Sequence, residues 1–463
     1  MLPHEPLTTT LAAWARRVRF ADLPQDVVDA SKLRILDVVG LALAGADTPF
    51  GRATRAAAVA LSPPGPCGIF GRGERVGVAT AAFANGACAQ ALEYDDTHNE
   101  SIVHMSSPAV AAALALSETT PVSGQDLIAA IAVGNEISCR VGSVSPGQFH
   151  RRGFHPTGLF APFGVTYLAS RLLDLDAARM AEAAGICGSF ASGILECWVD
   201  GTHPKFLHPG WAAQSGITAA YLAREGMTGP AQVLEGRFGL FASHLQDPGV
   251  ARDFDRVTAA LGTQWDSRNS SLKPFPAAHV IHPYLDALLR VRTAHAITPS
   301  EIERIDVPVA AFIVPIVCEP VAEKFAPASD SHGRVSLQYS LAEAMHAGRL
   351  GRDAYAPASL RDPDILALAR RVQYHVDPEF PGPGRFKGAV HVTLRDGRTL
   401  SDVEEYNRGS AENPMTYAEI RGKFDENAGS FLSQAARDRL AEAIGRIERL
   451  PDASVLVGMA IAG

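Results

Sequence analysis

The sequence predicts a mostly helical protein with a smaller α+β part. Three observations carry this. From residue 7 to about residue 265, Ala and Leu are abundant and apolar positions recur at helical spacing. After about residue 267 the chain turns to β-branched, alternating stretches with turn signals. After about residue 405 the helical pattern returns. The expected organisation is a helical domain over 1–267, an α+β domain over 268–405, and C-terminal helices over 406–463 that pack back on the first domain.

The segment 24–44 shows the helical signal well. Pro24 and Asp26 mark the first turn, and Val28, Leu33, Ile35, Leu36, Val39 and Leu43 form the apolar stripe. Gly45 is the expected stop. Similar patterns predict helices over 76–94, 108–117, 124–141, 158–172, 176–189 and 212–225, and small residues on many faces allow close packing. In the middle segment, strands are predicted over 302–307 and 372–376. A hairpin is predicted from 389–394 to 398–402, because Asp396-Gly397 supplies the positive φ angles of a tight turn. Helices over 336–347 and 364–371 interleave with these strands. Helices over 416–428 and 434–450 close the chain.

The chain has 463 residues, 47% apolar and 20% charged, as expected of a soluble globular protein of two or three domains. A net charge of −8 and the lack of any Lys/Arg run argue against a nucleic-acid binder. The cysteines at 67, 88, 139, 187, 197 and 318 form no CxxC pair, and free thiols in a reducing cytoplasm are the simplest reading. Neither a signal peptide nor an apolar run of the roughly 20 residues needed to cross a bilayer is evident. No HExxH, DxDxDG, GxGxxG after a strand or GxxxxGK[ST] occurs, so metal and phosphate-loop chemistry have no motif support.

Four segments set bases and cations beside Gly or Pro. The first is Glu93-Tyr94-Asp95-Asp96-Thr97-His98, with His104 following. Three acids in five residues at a helix C-terminus oppose the helix dipole, so they need partners, a raised pKa or a helix that has already ended. The second centres on His155, at the entrance to the helix predicted from Gly158. The third holds Lys205 and His208 ahead of another predicted helix, whose N-terminus adds positive charge. The fourth is Lys273-Pro274-Phe275-Pro276, leading to His279 and His282; its prolines fix the backbone and aim the lysine. Taken singly, each has a plainer reading: an acidic solvated loop, a structural histidine, a surface lysine beside a capping histidine, and an inter-domain linker. Taken together, they suit a site that handles an anionic substrate by proton transfer.

The combination resembles the MmgE/PrpD family. The matching stretches are Arg34-Ile35-Leu36-Asp37, Asn85-Gly86-Ala87, Glu93 to Thr97, and His104 with Ser106-Ser107-Pro108. They continue with Gly153-Phe154-His155, Lys205 with His208 to Ala213, Lys273 to His282, and Ser336-Leu337-Gln338-Tyr339, and together they run from about residue 8 to 460. The resemblance implies a large helical domain and a smaller α+β lid with the active site between them, a homodimer, and no metal or other cofactor. It covers 2-methylcitrate dehydratases, cis-aconitate decarboxylases and an iminodisuccinate epimerase. Carried over, the catalytic residues are His104, His155, Lys205, Lys273 and Asp96, and Glu93, Thr97, His208 and His282 bind substrate. Two positions depart from the decarboxylase pattern: Glu93 stands where an Asp opens the motif, and Ala278 where a further His follows the Lys segment.

The expected activity is therefore that of a cofactor-independent hydro-lyase on a small di- or tricarboxylate, acting by proton abstraction α to a carboxylate. An epimerase or a decarboxylase is the alternative, and a catalytically silent carboxylate-binding protein is a third reading. No nucleic-acid or membrane partner is expected.

Overall fold

The computed structural model describes residues 5–382 and 384–461. Its architecture is mostly helical with an α+β part, in agreement with the fold class read from the sequence. The helix Gln25–Ala46 is buried along most of its length. It packs against Val78–Gln90, and around this pair lie Ser106–Ser117, Gly124–Gly142, Pro156–Leu172 and His208–Arg224. Small residues let these helices touch backbone to backbone. A Cβ on Gly164 would stand 2.1 Å from the Gly134 carbonyl oxygen, and one on Gly210 would stand 2.3 Å from that of Phe83. The two contacts fix Pro156–Leu172 against Gly124–Gly142 and His208–Arg224 against Val78–Gln90.

The second body is a four-stranded sheet in the order Val372–Val376, Ile302–Val309, Gly388–Leu394, Thr399–Glu404. The first pair is parallel and the others antiparallel. Ile305, Val307, Val390 and Val392 are buried with residues of the helices His282–His295 and Leu337–Ala347 in a core of their own. Gly397 has φ +89° in the turn between the last two strands, as the Asp-Gly signal requires.

The chain then returns to the helical body. Ile420 and Phe424 of Tyr417–Ala428, and Leu440 and Ile444 of Gln434–Gly445, share one hydrophobic core with Gln25–Ala46. A buried ion pair joins the two ends of the chain: Lys423 Nζ lies 2.7 Å from Asp37 Oδ1. Burial pushes the Asp37 carboxyl up to about 6 even against this lysine. Lys423 also donates to the Tyr94 carbonyl at 2.8 Å, so the helix Tyr417–Ala428 holds the loop that carries the acids. Among the described residues no helix is long and apolar enough to cross a membrane.

Candidate active site

The acidic run begins where Val78–Gln90 ends. Glu93 adopts φ +53°, the left-handed region that non-glycine residues rarely occupy. From there the chain bends again at Asp95 before the short strand Thr97–His98, and successive side chains go to different partners. Glu93, Asp95 and Thr97 turn toward His104, whereas Tyr94 and Asp96 point to other partners. Thr97–His98 then pairs with Ser270–Ser271 in a two-residue antiparallel ladder, which brings Lys273 beside the acids. Tyr94 Oη strengthens this join by donating to the Pro274 carbonyl at 2.9 Å.

Glu93 is the centre of the charge network. Its carboxylate accepts a hydrogen bond from Lys205 Nζ and lies 3.2 Å from Lys273 Nζ; Lys273 also donates to the Glu93 carbonyl at 3.0 Å. Burial alone would raise the Glu93 carboxyl. The two ammonium groups and His104 outweigh it and hold the group well below the usual carboxylate range.

Two imidazoles face the same space, and each is held from behind. His104 Nδ1 lies 3.1 Å from Asp95 Oδ1, and its Nε2 lies 3.8 Å from Glu93 Oε1. Asp95 is fixed in turn by Ser107, whose hydroxyl donates at 2.7 Å. Burial opposes ionisation of Asp95, but His104 and Lys273 together outweigh it and lower the carboxyl. His155 caps the helix Pro156–Leu172 and shares one hydrogen with His208, Nδ1 to Nδ1 at 2.8 Å. Burial first, then Lys205, lowers both rings, His208 to about 4 and His155 well below its ordinary value. Both are therefore neutral near pH 7, and the shared hydrogen fixes complementary tautomers. His155 Nε2 is buried with no protein partner among the described residues. The rings of His104 and His155 are 5.6 Å apart.

These groups line one cavity of about 290 Å³, at the small end of ligand pockets. Of the residues expected from the sequence, Glu93, Thr97, His104, His155, Lys205 and Lys273 line it. His208 stands behind His155. Asp96, expected as catalytic, does not line the cavity. It faces the helix Gln25–Ala46, accepts from the Ser106 hydroxyl at 2.6 Å and lies 3.4 Å from Arg34 Nε. Burial, only partly countered by Arg34, raises its carboxyl. His282, expected to bind substrate, also lies outside: its Nε2 is 3.0 Å from the Ala277 carbonyl, and its ring packs on Phe275 and His279. Among the described residues, no group of three His, Cys, Asp or Glu side chains is placed as metal ligands would be.

Several lining residues were not among the expected catalytic or substrate-binding set, although the sequence analysis noted Ala278 and His279 beside the Lys273 segment. Ala278 and His279 both line the cavity. His279 Nε2 is 2.8 Å from the Asn407 amide nitrogen, so the neutral ring carries its hydrogen on Nδ1, which has no partner among the described residues. Burial, then His282 and Lys273, keeps this ring neutral. Asn99, His150, Arg151 and Trp198 of the first body and Phe312 and Phe386 of the second are also on the wall, and Lys205 Nζ lies 5.8 Å from the centre of the Trp198 ring. No local signal marks Asn99, His150 or Trp198.

The family model described as the MmgE/PrpD N-terminal domain matches residues 9–253, and that described as the MmgE/PrpD C-terminal domain matches residues 275–448. The chain belongs to the MmgE/PrpD family. Its relatives include a cis-aconitate decarboxylase-like protein of Aspergillus oryzae, 27% identical over 99% of this chain and 98% of that protein. A cis-aconitate decarboxylase of Aspergillus terreus is 27% identical over 97% of this chain and 95% of its own length. That of Homo sapiens is 28% identical, covering 97% and 93% respectively.

Proposed function

We propose that this chain is a lyase that acts on a small di- or tricarboxylate through a carbanion-like intermediate, without a cofactor. The observation that carries the reading is one small cavity lined by Lys205, Lys273 and four imidazoles, of which His104 and His155 are each oriented from behind. Lys205 and Lys273 bind a substrate carboxylate in competition with Glu93. They also stabilise the charge that develops on it, and a buried setting strengthens that effect.

For dehydration, one imidazole takes the proton α to the carboxylate and the electron pair moves into an enediolate. The pair then forms the C=C bond as the β-hydroxyl leaves, protonated by the second imidazole, and water is released. The two rings on one cavity support this base-and-acid division. The second reading is decarboxylation, favoured by the names of the relatives. There the carbon–carboxylate bond breaks, CO2 leaves, and an imidazolium returns a proton to the carbanion. Glu93 and Ala278, where the decarboxylase pattern has Asp and His, favour a substrate other than cis-aconitate.

Product analysis separates the readings. Proton NMR in D2O of 2-methylcitrate, citrate, malate, tartrate, cis-aconitate and iminodisuccinate with the purified protein is expected to show either a new alkene with loss of hydroxyl, or a decarboxylated product with deuterium at the former carboxylate carbon. Deuterium exchange at Cα with no bond cleavage would move the assignment to an epimerase. Silence across the panel would remove support for all three.

A further inference from the structure

A second cavity, of about 540 Å³, opens between the two bodies on the far side of the Leu92–Glu93 turn. Arg334 lines it and is only 3% exposed. The buried cations Arg34, Arg140, Lys205, Lys273 and Lys423 each meet a carboxylate. Arg334 makes no ion pair among the described residues. One guanidinium nitrogen, Nη1, donates to the Leu92 and Pro276 carbonyls at 2.9 Å, and the Tyr355 ring lies 4.9 Å from the guanidinium carbon. Nε is buried without a partner. Buried Lys324 also lacks a carboxylate, but a lysine can release its proton and an arginine cannot. A buried, permanently charged group without a counter-ion is costly to keep.

Arg352 and Arg361 line the same cavity and have no ion pairs among the described residues. Two acids also line it: Asp47 lies 3.7 Å from Arg72, and Asp330, 3.7 Å from His203, attracts Arg334 only from beyond ion-pair distance. Three guanidinium groups without carboxylate partners therefore line one open cleft walled by Phe50, Tyr355 and several prolines, Arg334 buried at its base, Arg361 exposed, and Arg352 donating to the Ser430 hydroxyl at 2.9 Å. Guanidinium forks match the oxygens of phosphate and carboxylate groups.

We propose that this cavity is a second anion site, separate from the catalytic cavity. Its ligand is a small molecule with a phosphate or carboxylate head, which supplies the counter-charge that Arg334 lacks.

The test is calorimetric titration with inorganic phosphate and, separately, with succinate, at constant ionic strength. It uses the parent chain, the Lys205→Ala chain, and Arg352→Gln, Arg361→Gln and Arg334→Gln variants. The rim variants keep the test decisive if Arg334→Gln fails to fold. At least one anion is expected to bind the parent and the Lys205→Ala chain alike, and each rim substitution is expected to weaken binding about tenfold. A response to phosphate alone assigns a phosphate-bearing ligand, and a response to succinate alone a carboxylate. The proposal is overturned if neither anion binds at tens of millimolar. It is also overturned if binding is lost with Lys205→Ala yet survives the arginine substitutions.

Discussion

At the scale of single residues, adjacent carboxylates of one short run have separate duties. Asp95 orients His104, and Asp96 neutralises Arg34. Asp95→Asn is expected to leave the fold in place and to lower kcat by about a hundredfold or more, because the imidazole loses the group that sets its tautomer and supports its charge. Asp96→Asn leaves buried Arg34 uncompensated and is expected to cost about 3–5 kcal/mol of stability. Paired melting curves and turnover measurements on the two variants check this division; equal loss of kcat at unchanged stability would contradict it. His208 supplies a pH prediction. Burial and Lys205 hold its folded-state value near 4, below the ordinary 6.5. As pH falls through that window the unfolded chain binds the proton first, so stability falls with it, by roughly 3 kcal/mol across the window. Denaturant unfolding between about pH 6.5 and 4.5 should show this slope added to that of the other buried histidines, whose rings are lowered in the same direction, and His208→Asn should reduce it. An unchanged slope in the variant would show that the His155–His208 pair does not carry the effect.

At the scale of elements, the helix Pro156–Leu172 presents His155 from its N-terminal cap, and its placement depends on glycine contacts. Gly164→Ala would set a methyl group 2.1 Å from the Gly134 carbonyl oxygen, which neither helix can absorb without moving. The expected result is a loss of about 1–3 kcal/mol, read as a lower melting temperature. A melting temperature equal to that of the parent would mean that the helices are less closely held than the geometry requires. Elements with strong local signals were legible in the sequence. The strand Val372–Val376 and the Asp396-Gly397 hairpin follow from alternation and turn chemistry, and the long helices from periodicity. The helices Leu7–Arg17, Pro49–Leu61 and Val455–Ile461 were not singled out. Within the site, lysines and histidines flanked by Pro or Gly stood out from their Ala-rich surroundings. The choice between Asp95 and Asp96 did not, because it depends on where Arg34 and His104 lie in space. His282 was misplaced for a related reason: only the packing of the loop ahead of it shows the ring turned onto Phe275 and the Ala277 carbonyl.

At the scale of the whole molecule, the candidate cavity is built by segments from widely separated parts of the chain. The Thr97–Ser271 ladder joins the first body to the Lys273 segment, Arg334 joins the second body to the same turn, and Lys423 braces Tyr94 from the helix Tyr417–Ala428. This convergence places two ammonium groups and two oriented imidazoles around one small space, and the proposed lyase chemistry rests on it. The most direct measurement follows polycarboxylate turnover in D2O by proton NMR, with the parent and the Lys205→Ala and Lys273→Ala variants run side by side and their folding checked by melting. The account predicts turnover of at least one polycarboxylate by the parent and a loss of about a hundredfold or more in each folded variant. Equal turnover by a folded lysine variant, or none by the parent on any polycarboxylate, would contradict it.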